Sequence, residues 1–246
     1  MSYSVVCDLF PLLTADGPTQ MAADEVLLEH VAATGRPALR LYTWDPPTLS
    51  LGYFQPVAGR LADPRLAALP VVRRPTGGGA IVHHHELTYG LALPTGPLQR
   101  GVHWACRMHD VIRAALGSYA VPAAACAGGQ ETGRGAFLCF QHQTPGDVLL
   151  AAHKVVGSAQ RRRAGALLQH GSILLAASPH APHLSGVREL LGVVIPPDRL
   201  ADDLVRTFAQ MTGWEAGPAD WTAGRLARRA ELVATRYAHP AWTERR

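Results

Sequence analysis

Alternating apolar residues recur along the first two-thirds of the chain, and helical spacing replaces them in the last third. Stretches such as ALRLYTW, TLSLGYF and LPVVRRP place every second side chain on one face, as strands do. From about Pro182 onward, stretches such as PDRLADDLVRTFAQMTG carry apolar residues three and four positions apart. Strands followed by helices are typical of the α+β class. We therefore predict an α+β fold built on a mixed β-sheet, with flanking helices on one side.

The same patterns predict how the chain is divided. At 246 residues the chain is long enough for one domain with a small appendage. We expect residues 1–180 to form the main domain and residues 181–246 to form a helical C-terminal extension packed on it. Within the main domain, DVLLAAHKVVGSAQRR and ALLQHGSILLAA predict paired strands that turn at residues 163–165. Residues 121–136 are rich in alanine and glycine and are typical of a loop.

Composition argues against several classes of protein. The apolar fraction of 48% and the charged fraction of 17% are typical of a folded globular chain. No apolar run approaches the roughly 18 residues that a membrane span needs, and the first basic residue, Arg36, comes too late for a signal peptide. The four cysteines show no metal-site spacing and are too few for a disulfide scaffold. These features predict a soluble, cytoplasmic protein with no membrane partner.

The charge balance points weakly to acidic partners. The net charge is +4 and the sequence pI is about 9.1, which favours association with acidic surfaces. The sequence contains no recognisable zinc finger, RNP motif or basic region. The densest basic cluster, residues 161–163, is only three arginines long. Nucleic acid is therefore an unlikely partner.

A glycine-rich segment, RRPTGGG, follows one of the predicted strands. Gly77, Gly78 and Gly79 would let the backbone approach a ligand closely and present bare N–H groups to it. An ordinary glycine turn in a hairpin is the simpler interpretation. The spacing matches neither the dinucleotide-binding fingerprint nor the phosphate-binding loop of nucleotide hydrolases. The two preceding arginines would either meet a phosphate or carboxylate, or point out of the strand.

Three consecutive histidines, His83 to His85, raise the question of a metal site. Neighbouring side chains of an extended segment face opposite sides, so only the first and third could share a metal ion. The spacing from His83 to Glu86 differs from the H-E-x-x-H motif of helical zinc proteases. We therefore predict no metal and expect a hydrogen-bonded His83 that orients a loop.

The chain has one lysine, Lys154, against 22 arginines. Codon bias toward arginine explains the imbalance, but so does a site that needs a compact ammonium in place of a planar guanidinium. Cys139 lies in GAFLCFQHQTPGD, where a buried cysteine is most simply a small apolar side chain. If the loop between the two residues doubles back, the ammonium would meet the thiol and favour the nucleophilic thiolate.

RRPTGGGAIVHHHELTY and KVVGSAQRRRAGALLQHGSILL resemble motifs of the lipoate–protein ligase, octanoyltransferase and biotin ligase superfamily. The resemblance extends from MAADEVLL to about Leu175. Within the superfamily, the chain is most similar to the cysteine-dependent octanoyltransferases. It shares with them the H-x-x-E-L-T-Y segment after the glycines, the Cys139-Phe140 pair and the spacing from the cysteine to the motif lysine.

The resemblance implies an α+β catalytic domain over residues 1–180 that needs no cofactor. Octanoyl would pass from octanoyl-acyl carrier protein to Cys139 and then to a lysine of a lipoyl domain, in glycine cleavage H protein or a dehydrogenase E2 subunit. Lys154 would touch the acyl carbonyl, and His142 or His170 would accept the amine proton. The substrate-binding residues would be Arg73, Arg74, Thr76, Gly77, Gly78, Gly79, His83, Tyr89, Gly157, Ser158, Ala159, His170 and Gly171.

Three other functions stay open on the sequence. An ATP-dependent lipoate–protein ligase would form an acyl-adenylate with ATP and magnesium, and would not need Cys139. A lipoyl amidotransferase would move the group between two lipoyl proteins. A non-catalytic protein that binds a carrier domain or nucleic acid would tolerate the loss of both Cys139 and Lys154.

Overall fold

The computed structural model describes residues 4–127 and 135–245. The strands in these ranges are β1 (Val6–Ala15), β2 (Ala38–Trp44), β3 (Thr48–Leu51), β4 (Val71–Arg73), β5 (Ile81–His83), β6 (Glu86–Pro94), β7 (Ala124–Ala125), β8 (Val148–Leu150), β9 (His153–Arg163), β10 (Ala166–Leu174) and β11 (Glu215–Pro218). The α-helices are α1 (Gly17–Thr34), α2 (Pro64–Ala67), α3 (Trp104–Gly117), α4 (Val187–Leu191), α5 (Pro197–Thr212), α6 (Ala223–Leu232) and α7 (Pro240–Thr243). In the same ranges, no helix is both long and apolar enough to cross a membrane.

The strands form two sheets. The large sheet has the order β11-β1-β2-β6-β10-β9-β8-β7, and the small sheet has the order β4-β3-β5. β1 runs parallel to β2 and β11, whereas β2, β6, β10, β9, β8 and β7 pair antiparallel in succession. The predicted mixed sheet and α+β class are therefore confirmed.

Helices cover both faces of the large sheet, so the prediction of helices on one side is wrong. Leu87 and Leu91 of β6 belong to a core shared with α3 and α5. Ala92, one position out of phase, packs with Leu27 and Leu28 of α1 on the opposite face. Alternation along a strand divides its side chains between two faces, but it does not say which helix covers each face.

α1 lies at the centre of the molecule and has clear signals at both ends. The Asp16 side chain accepts a hydrogen bond from the backbone N of Thr19 at 2.9 Å, and Pro18 stands in the first turn. Gly35 ends the helix in the left-handed conformation, with φ 68°. Because the helix is covered on several sides, its buried residues include the polar Asp24 and Glu25 as well as apolar side chains.

The C-terminal segment is not wholly helical. β11, with the sequence EAGP, adds an edge strand to the large sheet beside β1. Four residues that include glycine and proline carry no alternating apolar pattern, so the sequence predicts no strand there. Leu232 and Tyr237 are buried against α1 and β2 in one apolar cluster. The boundary at residue 180 stays a prediction.

Two of the predicted connections need separate comment. The turn predicted at residues 163–165 is confirmed, because β9 ends at Arg163 and β10 begins at Ala166. The stretch before it is two strands, β8 and β9, separated by Ala151 and Ala152 with φ values of 46° and 66°. Alanine gives no sequence signal for this left-handed turn. The loop predicted over residues 121–136 contains β7, and residues 128–134 lie outside the described residues.

Candidate active site

A cavity opens between the two sheets. Its apolar wall includes Met21, Tyr42, Trp44 and Ile81, and Cys139 contributes a thiol. Many of the predicted substrate-binding residues line it. They are Arg74, Gly77, Gly78, His83, Gly157, Ser158, Ala159, His170 and Gly171.

Cys139 begins a single 3-10 turn, Cys139–Gln141, and is a half-buried free thiol. Its backbone N donates to the carbonyl of Ala80 at 2.8 Å, and the Ala80 N donates to the carbonyl of Phe137 at 2.9 Å. These two bonds join the cysteine turn to the segment after the glycines. A Cβ placed on Gly79 would lie 2.9 Å from the Cys139 backbone N and 3.0 Å from its Cα. Only glycine permits this close approach.

Lys154 meets the thiol as expected. Its Nζ lies 3.7 Å from Cys139 Sγ, and it donates to the carbonyls of Cys139 at 3.4 Å and His142 at 3.0 Å. A further contact joins Nζ to a carboxylate oxygen of Asp147 at 2.8 Å. Only 6% of Lys154 is exposed. A buried ammonium needs such partners, so this arrangement favours the need for a compact ammonium over codon bias.

The turn between β8 and β9 brings Lys154 to this position. Lys154 is the second residue of β9 and pairs with Leu149 across the turn. A Cβ placed on Gly157 would lie 2.6 Å from Lys154 Cε and 3.1 Å from its Nζ. Because glycine has no side chain, position 157 leaves space for the side chain of Lys154.

A chain of buried hydrogen bonds runs behind the cavity wall. Arg74 Nη1 donates to Ser50 Oγ at 2.6 Å, and Ser50 Oγ lies 2.6 Å from His83 Nε2. His83 Nδ1 lies 2.6 Å from Glu86 Oε1. The same carboxylate oxygen also accepts bonds from the hydroxyls of Thr88 at 2.5 Å and Ser172 at 3.1 Å.

This chain has the connectivity of a serine–histidine–carboxylate triad, but not its exposed nucleophile. Ser50 is fully buried, and its hydroxyl is held between Arg74 and the ring of His83. The His83 ring also stacks on Trp44, with ring centroids 3.8 Å apart. Burial lowers the pKa of His83, although Glu86 acts in the opposite direction. A neutral ring that holds a loop agrees with the expectation for His83.

A second buried chain reaches the glycine segment from the opposite side. His170 Nε2 lies 2.6 Å from Thr76 Oγ1, and His170 Nδ1 lies 2.7 Å from Asp24 Oδ2. Arg40 donates to Asp24 Oδ1 at 2.6 Å, and the Tyr42 hydroxyl donates to Oδ2 at 3.0 Å. Burial would raise the pKa of Asp24, but these three partners lower it below its ordinary value of 3.8.

Two predicted substrate-binding residues do not reach the cavity. Arg73 is fully buried and donates to the carbonyls of Gly52, Gln55 and Thr243 at 2.8, 2.7 and 2.7 Å. Tyr89 points to the opposite face of the large sheet, into the core shared with α3 and α5. Burial raises the pKa of Tyr89 to about 12.

Thr76 and Gly79 lie behind the cavity wall. Thr76 reaches the cavity through its bond to His170, and Gly79 packs on the backbone of Cys139. The remaining two histidines, His84 and His85, stack on each other 3.6 Å apart and line a separate surface groove. Within the described residues, no three His, Cys, Asp or Glu side chains converge as a metal site would require.

Several residues of the site were not predicted. They are Asp24, Ser50, Asp147, Trp44, Thr88 and Ser172. Asp147 stands in the TPGD segment, between Cys139 and Lys154. An acidic residue close in sequence to the chain's single lysine was a usable signal. Ser50 and Asp24 lie in strand and helix patterns that reveal nothing about their partners. Their roles depend on which elements the fold brings together.

The fold and site together define a class of protein: an α+β domain with a thiol in a cavity wall and an ammonium beside that thiol, an arrangement suited to acyl transfer. The sequence profile of the lipoyl protein ligase A/B catalytic domain family matches residues 16–199. The chain belongs to this family.

Known proteins of this kind resemble the chain over nearly its whole length. It is 34% identical over 264 residues to an octanoyltransferase LipM of Moorella thermoacetica, covering 94% of this chain and 95% of that protein. It is 32% identical over 265 residues to the octanoyltransferase LipM of Kyrpidia tusciae, covering 92% and 94%.

Two solved structures share the fold. A lipoate-protein ligase A bound with ATP superposes with a TM-score of 0.78 at 21% identity, covering 96% of this chain and 98% of that one. A bi-partite lipoate protein ligase from Thermoplasma acidophilum gives a TM-score of 0.74 at 20% identity, covering 98% and 96%.

Proposed function

We propose that this chain is an octanoyltransferase that moves an octanoyl group from a thioester donor to a lysine of a lipoyl domain, through an acyl-enzyme on Cys139. The observation that carries the proposal is the pair formed by Cys139 Sγ and Lys154 Nζ, 3.7 Å apart, at a cavity with an apolar wall. Relatives that cover nearly the whole chain are named octanoyltransferases, which supports the same assignment.

In the first step, the Cys139 thiolate attacks the thioester carbonyl of the donor. A new carbon–sulfur bond forms, the donor's carbon–sulfur bond breaks, and the donor leaves as a thiolate that takes a proton from solvent. Negative charge develops on the carbonyl oxygen and needs preorganised donors. Lys154 and backbone N–H groups near residues 157–158 or 77–79 are the groups we assign to it.

In the second step, the neutral amine of the acceptor lysine attacks the acyl-enzyme carbonyl. A carbon–nitrogen bond forms, the bond to Cys139 breaks, and the amine gives up a proton. His170 lines the cavity and holds Asp24 through its other ring nitrogen, so it is the histidine we assign to receive that proton. Cys139 leaves as the thiolate that begins the next cycle.

We assign the acyl chain to the cavity because the side chains of Met21, Tyr42, Trp44 and Ile81 give it an apolar wall. Each CH₂ group buried against the apolar wall contributes roughly 0.8 kcal/mol to binding. We assign octanoyl-acyl carrier protein as the donor and the lipoyl domains of glycine cleavage H protein or dehydrogenase E2 subunits as acceptors, with no cofactor.

Intact-protein mass spectrometry tests the proposal directly. The purified chain is incubated with octanoyl-acyl carrier protein without ATP, beside Cys139→Ser and the matched control Cys106→Ser, which changes an exposed thiol. We expect one hydroxylamine-sensitive octanoyl adduct on the wild type and on the control, and none on Cys139→Ser. Addition of a lipoyl domain should then discharge the adduct onto its lysine.

Other outcomes would identify the remaining functions. An adduct that persists in Cys139→Ser would contradict the assigned nucleophile. Absence of an adduct together with formation of an acyl-adenylate from octanoate, ATP and magnesium would make the chain a ligase. An adduct formed only from an octanoylated lipoyl protein would make it an amidotransferase.

A further inference from the structure

Arg74 is a buried cation whose direct hydrogen-bond partners are all neutral oxygens. Nη1 donates to the carbonyl and hydroxyl of Ser50 at 2.8 and 2.6 Å, and Nη2 donates to the carbonyls of Gly77 and Gly79 at 3.2 and 2.8 Å. Only 3% of Arg74 is exposed. Within residues 4–127 and 135–245, no carboxylate forms an ion pair with it.

Lys154 differs in this respect. It forms a direct ion pair with Asp147 at 2.8 Å, so a negative charge lies against the ammonium. A guanidinium stays charged in a protein, and burying a charge without a contacting counter-ion is costly. We therefore expect a negatively charged group to lie near the Arg74 guanidinium during the reaction.

The nearest carboxylate connected to Arg74 is separated from it by two neutral groups. Ser50 Oγ accepts a hydrogen bond from Arg74, so its own hydroxyl donates to Nε2 of His83. The ring then carries its proton on Nδ1 and donates it to Glu86. Three donors converge on one oxygen of Glu86, which is the pattern of an ionised carboxylate. Ser50 and His83 thus link Arg74 to Glu86 by hydrogen bonds, and neither of these two neutral residues neutralises the charge at its end of the chain.

Arg74 is also connected to the backbone of Cys139 through one residue. Its guanidinium binds the carbonyl of Gly79, and Gly79 packs directly against the backbone of Cys139. Arg74 and Cys139 line the same cavity. Burial lowers the pKa of Arg74, and Cys139 is the first of the charges that act in the opposite direction.

We propose that Arg74 is a second cation for the Cys139 thiolate, beside Lys154, and that the chain through Ser50 and His83 to Glu86 holds it at the cavity wall. The proposal rests on the proposed function only in making Cys139 the nucleophile. The negative partner that Arg74 meets is the thiolate before acylation and the carbonyl oxygen as negative charge develops on it.

The rate of Cys139 alkylation by iodoacetamide, measured by peptide mass spectrometry from about pH 5 to pH 10, tests this proposal. Other charged or titratable groups around the thiol are Lys154, Asp147, His142, His170, Tyr42 and His83, and the Arg74 variants leave them in place. Arg74→Gln removes the charge, and we expect the midpoint of the alkylation profile to rise by about one pH unit. Arg74→Lys keeps a charge but loses the forked geometry, and we expect its midpoint near that of the wild type.

A merely structural role for Arg74 would shift both variants alike, and that result would overturn the proposal. Ser50→Ala supplies a measurement that does not depend on replacing Arg74. It removes the hydroxyl that links the guanidinium to His83 and changes no charge, so we expect the midpoint to rise, and an unchanged or lower midpoint would overturn the proposal. Alkylation needs no acyl donor, so failure of octanoyl transfer and failure of this proposal remain distinguishable.

Discussion

At residue 154 the size of the cationic group matters as much as its charge. The Lys154 ammonium fits between Asp147 and the carbonyl of His142, in room left by Gly157. A guanidinium is broader and needs planar partners. We expect Lys154→Arg to slow formation of the acyl-enzyme about 100-fold, comparable to the loss of one charge-stabilising donor. Stopped-flow measurement of the first turnover with the octanoyl donor measures this rate.

The control for that prediction is Arg162→Lys, on the exposed end of β9. We expect it to react at the wild-type rate. Equal rates for Lys154→Arg and the wild type would mean that any cation suffices at the site, and codon bias would then explain the single lysine.

Gly79 sets the distance between the glycine segment and Cys139. A Cβ at this position meets backbone atoms of the cysteine at 2.9 and 3.0 Å, and backbone cannot rotate away as a side chain can. We expect Gly79→Ala to lower the acylation rate about 10–100-fold by displacing the thiol. The matched control is Gly117→Ala, where no atom lies within 4 Å of the added carbon. Equal activity of the two variants would contradict this account.

The sequence predicted the residues of the site better than their arrangement. The sequence let Cys139 and Lys154 meet if the loop between them doubles back, and Sγ and Nζ lie 3.7 Å apart. Arg73 and Arg74 are adjacent in the sequence and looked equivalent, yet neighbouring strand side chains point to opposite sides, and only Arg74 reaches the cavity. The partners of Arg74 are Ser50 of β3 and the carbonyls of Gly77 and Gly79. The pairing of β3 with β4 that brings Ser50 close to Arg74 leaves no signal in a single sequence.

Among the elements, the turn between β8 and β9 has the least suitable sequence for its conformation. Ala151 and Ala152 both have positive φ, where a Cβ costs roughly 1–2 kcal/mol per residue. We expect Ala151→Asn together with Ala152→Gly to raise the free energy of unfolding by about 1 kcal/mol, the change being partly offset by a more flexible unfolded chain. Urea denaturation monitored by circular dichroism measures the change.

Ala68→Gly is the opposing control for the turn, because Ala68 has an ordinary φ of −75°. Glycine at that position only adds freedom to the unfolded chain, so the stability should fall. A loss of stability in the turn variant as well would show that the alanines are not strained there.

Elements with strong periodic signals were predicted well, and weakly marked ones were missed. The helical spacing of PDRLADDLVRTFAQMTG is confirmed by α5, which spans Pro197–Thr212. β11 and the Ala151–Ala152 turn were missed for the same physical reason. Both are stabilised by the neighbouring strand they pair with, and not by their own residues.

For the whole molecule, the segment after residue 218 contributes to the core. Tyr237 is fully buried, and its hydroxyl donates to Glu25 Oε2 of α1 at 2.6 Å. We expect Tyr237→Ala to lower the free energy of unfolding by about 3–5 kcal/mol. Tyr237→Phe keeps the ring and loses the bond, so about 1–3 kcal/mol should be lost. Equal losses in urea denaturation would assign the effect to the hydroxyl alone.

The buried carboxylate of Asp24 makes the stability of the whole fold sensitive to acid. Its pKa in the folded state is below 3.8, so the unfolded chain takes up the proton first as the pH falls. Stability from this group is therefore complete above about pH 4 and is lost below it. We expect the urea midpoint of unfolding to be lower at about pH 3 than at about pH 6. The difference between the two pH values should be smaller in Asp24→Asn. An equal fall in both would place the acid sensitivity elsewhere.

The pairing of β1 with β11 also governs when the molecule can be completed during synthesis. Val6 pairs with Glu215, so this edge of the large sheet waits for roughly 200 further residues. At about 5–20 residues per second, a ribosome needs on the order of 10 s or more to supply them. Through that interval β1 has no paired strand on the side that faces away from β2. The nascent chain is therefore most exposed to pairing with a neighbouring chain at the strand that the finished protein covers with β11.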